Sequence, residues 1–241
     1  MRVLLLGATG NLGRRCIPAL LAHKHSSRLI FESLNAVVEG DATDQLGIQN
    51  ALLEHDVEGI INVAGTQVKR GEEWQLHKIA RAVCDALRPL GVWICCGMGV
   101  LEYPGTGYLI EDYMPKRLSE QHRATCDVVE SMPSSKVQWS LLCVAFMVPA
   151  DAKQQCVELL DAPQHHNLLL SAGAPPAFDN TWLAYILWVE LWIDFWFSVL
   201  WSYSTKYEDV ADFLAEDLEY GHEQWVGKKV GMKDRKKLKS A

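Results

Sequence analysis

Glycines 7, 10 and 13 end an apolar run that starts at Arg2: Arg2-Val-Leu-Leu-Leu-Gly7-Ala-Thr9-Gly10-Asn11-Leu12-Gly13. The chemistry this spacing serves is the holding of a pyrophosphate. Gly7 allows a sharp turn, Gly10 a close approach of backbone to phosphate, and Gly13 the packing of a helix on the strand before it. The helix start then offers N–H groups and a positive dipole end to the anion. Leu12, Cys16, Ile17, Leu20 and Leu21 follow at helical spacing, so strand, turn and helix come in the order a dinucleotide site needs. A second determinant belongs at the end of the next strand, where an acid binds a ribose hydroxyl and an Arg accommodates a 2′-phosphate. There the chain has only Arg28-Leu-Ile-Phe31, followed by Glu-Ser-Leu-Asn. The second strand is therefore shortened or missing, the stretch does not decide between the two cofactors, and Arg14 or Arg28 is the expected partner of a 2′-phosphate. Asp41 follows an apolar strand end and precedes a helix, which puts its carboxylate at the carboxyl edge of the sheet, where ligands bind. Its other role is a helix N-cap, for which Asp44 is better placed.

The elements that must position these residues read as alternating strands and helices. Short apolar runs predict strands at Arg2–Leu6, Ala36–Glu39, Gly59–Val63, Val92–Cys96 and Trp139–Val144. They lack alternation, as parallel strands buried on both faces do. Helical patterns run from about Asn11 to His23, Asp44 to Glu54, Glu72 to Arg88 and Tyr113 to Ser131. The expected fold is α/β, a Rossmann-type doubly wound parallel sheet with a small C-terminal helical substrate lobe. Thr205-Lys-Tyr-Glu208 reads as a capping box, and Val210, Phe213, Leu214 and Leu218 continue at helical spacing. Trp225–Val230 reads as a last short strand or a loop.

Length and charge bound the rest. A chain of 241 residues with 49% apolar content is one large domain. Residues 1–227 form that domain, with 150–204 as the substrate lobe and 228–241 as a basic tail. From Lys228 onward seven Lys/Arg and one Asp give +6, so the net charge of −7 leaves −13 on the remainder. An acidic body argues against nucleic acid as a partner. The tail reads as a solvated end, with a nuclear signal or a lipid-surface patch as alternatives. Seven cysteines without a CxxC pair or metal-ligand spacing fit a reduced, cytoplasmic protein with no metal. The first residues do not resemble a signal peptide.

These motifs carry a family likeness. The chain resembles the atypical short-chain dehydrogenase/reductases, in the branch with NmrA-like and biliverdin-reductase-B-like proteins. Gly7-Ala-Thr-Gly-Asn-Leu-Gly13 matches the branch's glycine motif. Gly40-Asp41-Ala42-Thr-Asp44 matches its acidic turn at the adenine, and Asn62-Val-Ala64-Gly65 its turn along the ribose and nicotinamide. Tyr207-Glu-Asp-Val-Ala211 resembles its late helix. The closing Trp225-Val-Gly-Lys-Lys-Val-Gly231 is similar to fungal polyketide-pathway oxidoreductases, the averufin oxidase A-like proteins. The resemblance implies an oxidoreductase using NADP, with NAD as the alternative, on an apolar small molecule such as an aromatic polyketide. Classical relatives move a proton with a Tyr and a Lys four residues on, and with a Ser at the end of the fifth strand. Here no Tyr has Lys at +4, and the strand end reads Cys96-Gly-Met-Gly99. Tyr113, with Lys116 and Arg117 one turn on, is the closest substitute if all three share a helix face. Thr106, Tyr108 and His122 are weaker candidates, and His122 reads as a surface histidine. The missing triad motivates a rival reading as a non-catalytic, NmrA-like dinucleotide sensor.

Trp182–Trp201 is a second notable segment. Its polar residues Glu190, Asp194 and Ser198 fall on one helical stripe, with Trp188, Trp192 and Trp196 nearly opposite. A helix over the substrate cleft or at a homodimer contact is the favoured reading. A membrane contact, and with it a membrane-associated reductase, is the alternative: two carboxylates would then be buried in lipid.

Overall fold

Val3-Leu-Leu-Leu6 forms the first strand of a sheet whose helices lie on both faces. The computed structural model describes residues 1–23, 38–65, 73–86, 90–133, 135–151, 160–178, 203–220 and 223–235. Arg28 and the aromatic segment 182–201 lie outside the described residues.

In chain order the first elements are β1 (Val3–Leu6), α1 (Gly13–Ala22), α2 (Gln45–Glu54), β2 (Gly59–Asn62), α3 (Leu76–Ala86) and β3 (Gly91–Gly97). They are followed by α4 (Lys116–Glu130), β4 (Gln138–Val144), β5 (Phe146–Val148) and β6 (Leu168–Ala172). The last are β7 (Ser204–Lys206), α5 (Tyr207–Glu219) and β8 (Lys228–Asp234). The main sheet has the order β1-β2-β3-β4-β8-β6. Its first five strands pair in parallel, and β6 closes the edge antiparallel to β8. A separate two-stranded ladder pairs β5 with β7 in parallel. This is the α/β, parallel-dominated architecture that the strand and helix patterns predict.

Strand periodicity explains how one sheet serves two cores, because successive side chains point to opposite faces. Ile60, Val92, Ile94, Cys96, Leu141 and Cys143 enter the core beneath α2, α3 and α4. Ile61, Trp93, Leu142, Val144, Val230 and Met232 enter the core beneath α1 and α5. Cys95 and Cys96 accordingly point to opposite sides, and the six described cysteines are all free thiols.

Several expectations are corrected. Val38 and Glu39, the described part of the expected strand Ala36–Glu39, have no strand structure. Helix α4 starts at Lys116 and not at Tyr113. The reason is Pro115: the residue before a proline avoids the helical region, and Met114 is extended at φ −111°, ψ 151°. The Thr205–Glu208 capping box does not form. Lys206 is the N-cap residue without a side-chain cap, the Thr205 hydroxyl donates to the Phe146 carbonyl at 3.3 Å, and Glu208 is committed elsewhere. The basic segment is not a solvated end over Lys228–Asp234, which forms β8 in the sheet interior. Alternation reconciles charge with burial there: Val230 and Met232 fill the core, Lys229 reaches Glu130 at 2.9 Å, and Lys233 donates to the Ala177 carbonyl at 3.0 Å. Finally, Leu168–Ala172 of the expected helical lobe is a sheet strand.

Candidate functional site

The carboxyl ends of β1 and β2 bring two of the sequence motifs together. Leu6 lies opposite Asn62 in register, and the Val63 N–H donates to the Leu6 carbonyl at 3.0 Å. Gly7 turns with φ +85°, and a Cβ there would lie 2.6 Å from the Ala64 backbone nitrogen. A Cβ on Gly13 would lie 2.1 Å from the Gly7 carbonyl oxygen. Both positions therefore need glycine, for turn geometry and for close backbone packing. Gly10 differs: only the Gly7 carbonyl oxygen, at 3.2 Å, comes near the place of its missing side chain. The open side of Gly10 is the cradle a pyrophosphate would occupy.

The donors of this cradle are backbone groups. The N–H groups of Gly10, Arg14, Arg15 and Cys16 donate to carbonyls of the turn, whereas among the described residues no acceptor faces those of Asn11, Leu12 and Gly13. The Leu12 side chain is buried in the core under α1, so Leu12 can contribute only its backbone. Thr9, Gly10 and Asn11 are exposed, and Arg14 donates to Asn11 Oδ1 at 3.0 Å. Arg15 braces the turn from behind. Its guanidinium donates to the Asn11 carbonyl at 2.8 Å, pairs with Glu208 and lies 5.1 Å from the centre of the Tyr207 ring. Glu208 also accepts from the Ala150 N–H at 2.8 Å, so the glycine turn, the start of α5 and the segment after β5 are tied together.

The second loop is Asn62–Gly65. Asn62 is buried and accepts from the Ala64 N–H at 3.2 Å, which fixes the turn. Gly65 has φ +143°, and Leu76 fills the place of its side chain. Asp41 and Ala42 stand in the turn that leads into α2. Asp41 accepts from the Thr43 N–H at 2.8 Å, a hydrogen bond that favours the carboxylate and holds its pKa below the usual value. Asp44 is the N-cap of α2, accepting from the Leu46 N–H at 3.1 Å. Asp41 is an exposed carboxylate in the turn before α2.

The proton-handling residues do not assemble as the sequence predicts. Tyr113 ends a 3-10 turn, Ile110–Tyr113, while Lys116 is the exposed first residue of α4. With Met114 extended between them they share no helix face. The Tyr113 ring lies 5.2 Å from that of Tyr103 and 6.5 Å from that of Tyr108, in an aromatic cluster. The Thr106 hydroxyl donates to the Tyr103 carbonyl at 2.8 Å, inside its own turn.

His122 is the larger correction. It is half-buried, not a surface residue, with its ring against the end of β3: a Cβ on Gly97 would lie 2.6 Å from the imidazole Cδ2. The missed signal was helical spacing, since His122 shares the inward stripe of α4 with the buried Cys126 and Val129. Glu111 also escaped notice. It lies against Gly99 and pairs with Arg123 at 2.8 Å. Burial raises its pKa, opposed by the Arg123 charge.

Comparison with known proteins fixes the class of architecture. No family model and no curated protein matches the chain. Solved structures do. A Rossmann-fold NAD(P)-binding family protein from Shigella flexneri aligns over 98% of this chain and 96% of its own, at 15% identity and a TM-score of 0.56. A Lactobacillus casei protein aligns over 98% and 100%, at 11% identity and a TM-score of 0.60. A Bacteroides thetaiotaomicron protein described as an epimerase aligns over 98% and 97%, at 12% identity and a TM-score of 0.59. The chain therefore has the Rossmann-type α/β fold. Among the described residues no helix is long and apolar enough to cross a membrane.

Proposed function

We propose that this protein is an NAD(P)-dependent oxidoreductase acting on an apolar small molecule, with an aromatic polyketide-like carbonyl compound as the substrate class. The observation that supports it most is the glycine turn. The places of the missing side chains at Gly7 and Gly13 are filled by their own scaffold, Gly10 meets only the Gly7 carbonyl oxygen, and among the described residues the N–H groups of Asn11, Leu12 and Gly13 have no backbone acceptor. That arrangement suits a diphosphate at a helix start. The bound dinucleotide would supply hydride transfer; this chain's residues would hold and orient it. Backbone N–H groups of the turn would hold the pyrophosphate, Asp41 and Ala42 would border the adenine, and Asn62, Ala64 and Gly65 would line the ribose and nicotinamide. NADP is the proposed cofactor and NAD the alternative. Arg14, exposed beside the turn, and Arg28 are the cations offered to a 2′-phosphate.

Titration of the purified chain with NADPH and NADH, followed by cofactor fluorescence, tests this reading. Saturable binding with NADPH tighter is the expected result; failure of both to bind overturns it. A second reading, a dinucleotide sensor without turnover, is favoured by the separation of Tyr113 from Lys116. It predicts binding of oxidised and reduced cofactor alike and no oxidation of NADPH by quinones or ketones.

A further inference from the structure

Buried polar atoms normally find partners, so those that do not point to something missing. Among the described residues five such side-chain atoms have none, and three of them, Glu111 Oε2, Gln121 Oε1 and His122 Nδ1, belong to the same two elements. Glu111 lies in the 3-10 turn before α4, and Gln121 and His122 lie in the second turn of α4. All three sit where β3 ends. The imidazole lies on Gly97, whose absent side chain leaves it room: a Cβ there would be 2.6 Å from Cδ2 and 2.8 Å from Nε2. Two residues on, Glu111 Cβ would be 3.5 Å from a Cβ on Gly99. His122 Nε2 is 3.5 Å from the Gln121 side-chain nitrogen, and the Cys96 thiol donates to the His122 carbonyl at 3.5 Å. Glu111 is held by Arg123 through one oxygen, which leaves the other spare. This edge is the carboxyl end of a central parallel strand, two places along the sheet from the glycine turn at β1. Ligands of open α/β sheets lie along that edge. A dinucleotide held at Gly10 would extend toward it.

We propose that His122, on Gly97 and beside Gln121 and Glu111, is the proton-transfer residue of this site and touches the carbonyl oxygen of the substrate. The inference rests on the dinucleotide reading above and adds to it the group that replaces the missing Tyr-Lys pair. The step balances as a carbonyl reduction. Hydride with its electron pair passes from reduced nicotinamide to the carbonyl carbon, and the C=O π pair moves to oxygen. The imidazolium N–H of His122 gives that oxygen its proton. An alcohol, oxidised nicotinamide and neutral imidazole remain, and water reprotonates the ring. Imidazole suits the task because it changes charge in the range where such an enzyme works. Gln121 and Glu111 position the ring and the substrate oxygen.

The experiment compares the full-length chain with His122→Gln and Tyr113→Phe, with 9,10-phenanthrenequinone as the carbonyl probe and NADPH as reductant. His122→Gln is expected to bind NADPH as the parent does but to lose kcat by about 100-fold, the usual size of a general-acid contribution. A readout without turnover runs beside it: imidazole 1H–15N spectra, with the His122 signal assigned by its loss in His122→Gln. Saturating NADPH is expected to move that signal. A His122 signal that stays in place while NADPH binds overturns the proposal. So does a His122→Gln chain that keeps kcat within twofold while Tyr113→Phe loses it. If the parent binds no NADPH, it is the dinucleotide reading itself that fails.

Discussion

The two sides of the sheet treat their polar residues differently. On the α1–α5 side, buried polar groups fasten one element to another. Arg15 joins the glycine turn to Glu208, His23 at the end of α1 sits 2.9 Å from both Asp212 and Glu219, and the Trp93 indole donates to Asp217 at 2.8 Å. Asp212 Oδ2 is the atom left over there. On the α4 side, Glu111, Gln121 and His122 each keep a buried atom without a partner, and two glycines make room beside them. Polar residues that bind one another hold a fold together. Polar residues that keep an unsatisfied atom at a strand end have it available to something else. The lesson concerns position more than residue type, since one histidine is clamped through both ring nitrogens and the other keeps one buried nitrogen without a partner.

The contrast breaks most sharply at Gly13. A methyl there would meet the Gly7 carbonyl oxygen at 2.1 Å and Ala8 Cα at 2.8 Å, all backbone, so nothing flexible can yield. Gly13→Ala is expected to cost about 3 kcal/mol of stability in urea unfolding, together with NADPH binding. Stability within about 0.5 kcal/mol of the parent would show that the turn is looser than its packing implies.

Arg15→Ala should come next. It removes the pair to Glu208, the donor to the Asn11 carbonyl and the contact with Tyr207. The expected loss is about 2 kcal/mol, with weaker NADPH binding because the turn is no longer braced. An unchanged midpoint in urea would remove the brace from the account.

Gly10→Ala separates cradle from scaffold. The new methyl would meet one atom, the Gly7 carbonyl oxygen at 3.2 Å, which must give by a few tenths of an ångström, so the fold should lose less than at Gly13. A methyl would stand where the pyrophosphate approaches, so the NADPH Kd should rise by about tenfold or more, equivalent to about 1.4 kcal/mol. Equal affinity for parent and variant would place the phosphates elsewhere.

The smallest effect is the pH response of the His23 clamp. Burial opposes the charged ring, but hydrogen bonds to Glu219 and Asp212 and their charges outweigh it, so the folded pKa is raised. A raised folded value adds stability that is complete below the unfolded value of about 6.5 and is lost as pH rises through the folded value. Urea unfolding of the parent should weaken over that window, and His23→Gln should flatten the response. An identical slope in both chains would assign the pH dependence to other groups.

How far the sequence could be read follows from the range of each interaction. The strand–turn–helix at residues 3–22 was legible because its determinants are local: an apolar tetrapeptide, glycines at fixed offsets and helical spacing afterwards. The N-cap role of Asp44 was legible for the same reason. Where a local signal met a longer-range competitor, the competitor won. Glu208 looked like half of a capping box but pairs with Arg15, 193 positions away. Lys228–Asp234 looked like a charged end, yet Val230 and Met232 draw it between β4 and β6. Tyr113 and Lys116 stood at helical spacing, yet Pro115 ends the stretch that would have joined them.

By itself the sequence determined the α/β class and the strand, glycine turn and helix at residues 3–22, because periodicity and glycine geometry act within a few residues. Only the tertiary structure decided that β8 lies between β4 and an antiparallel β6, that the Arg15–Glu208 pair braces the turn, and that His122 rests on Gly97. Those facts depend on which elements bury their apolar faces against one another. That choice is made by the whole core at once, and a stretch of chain read alone does not contain it.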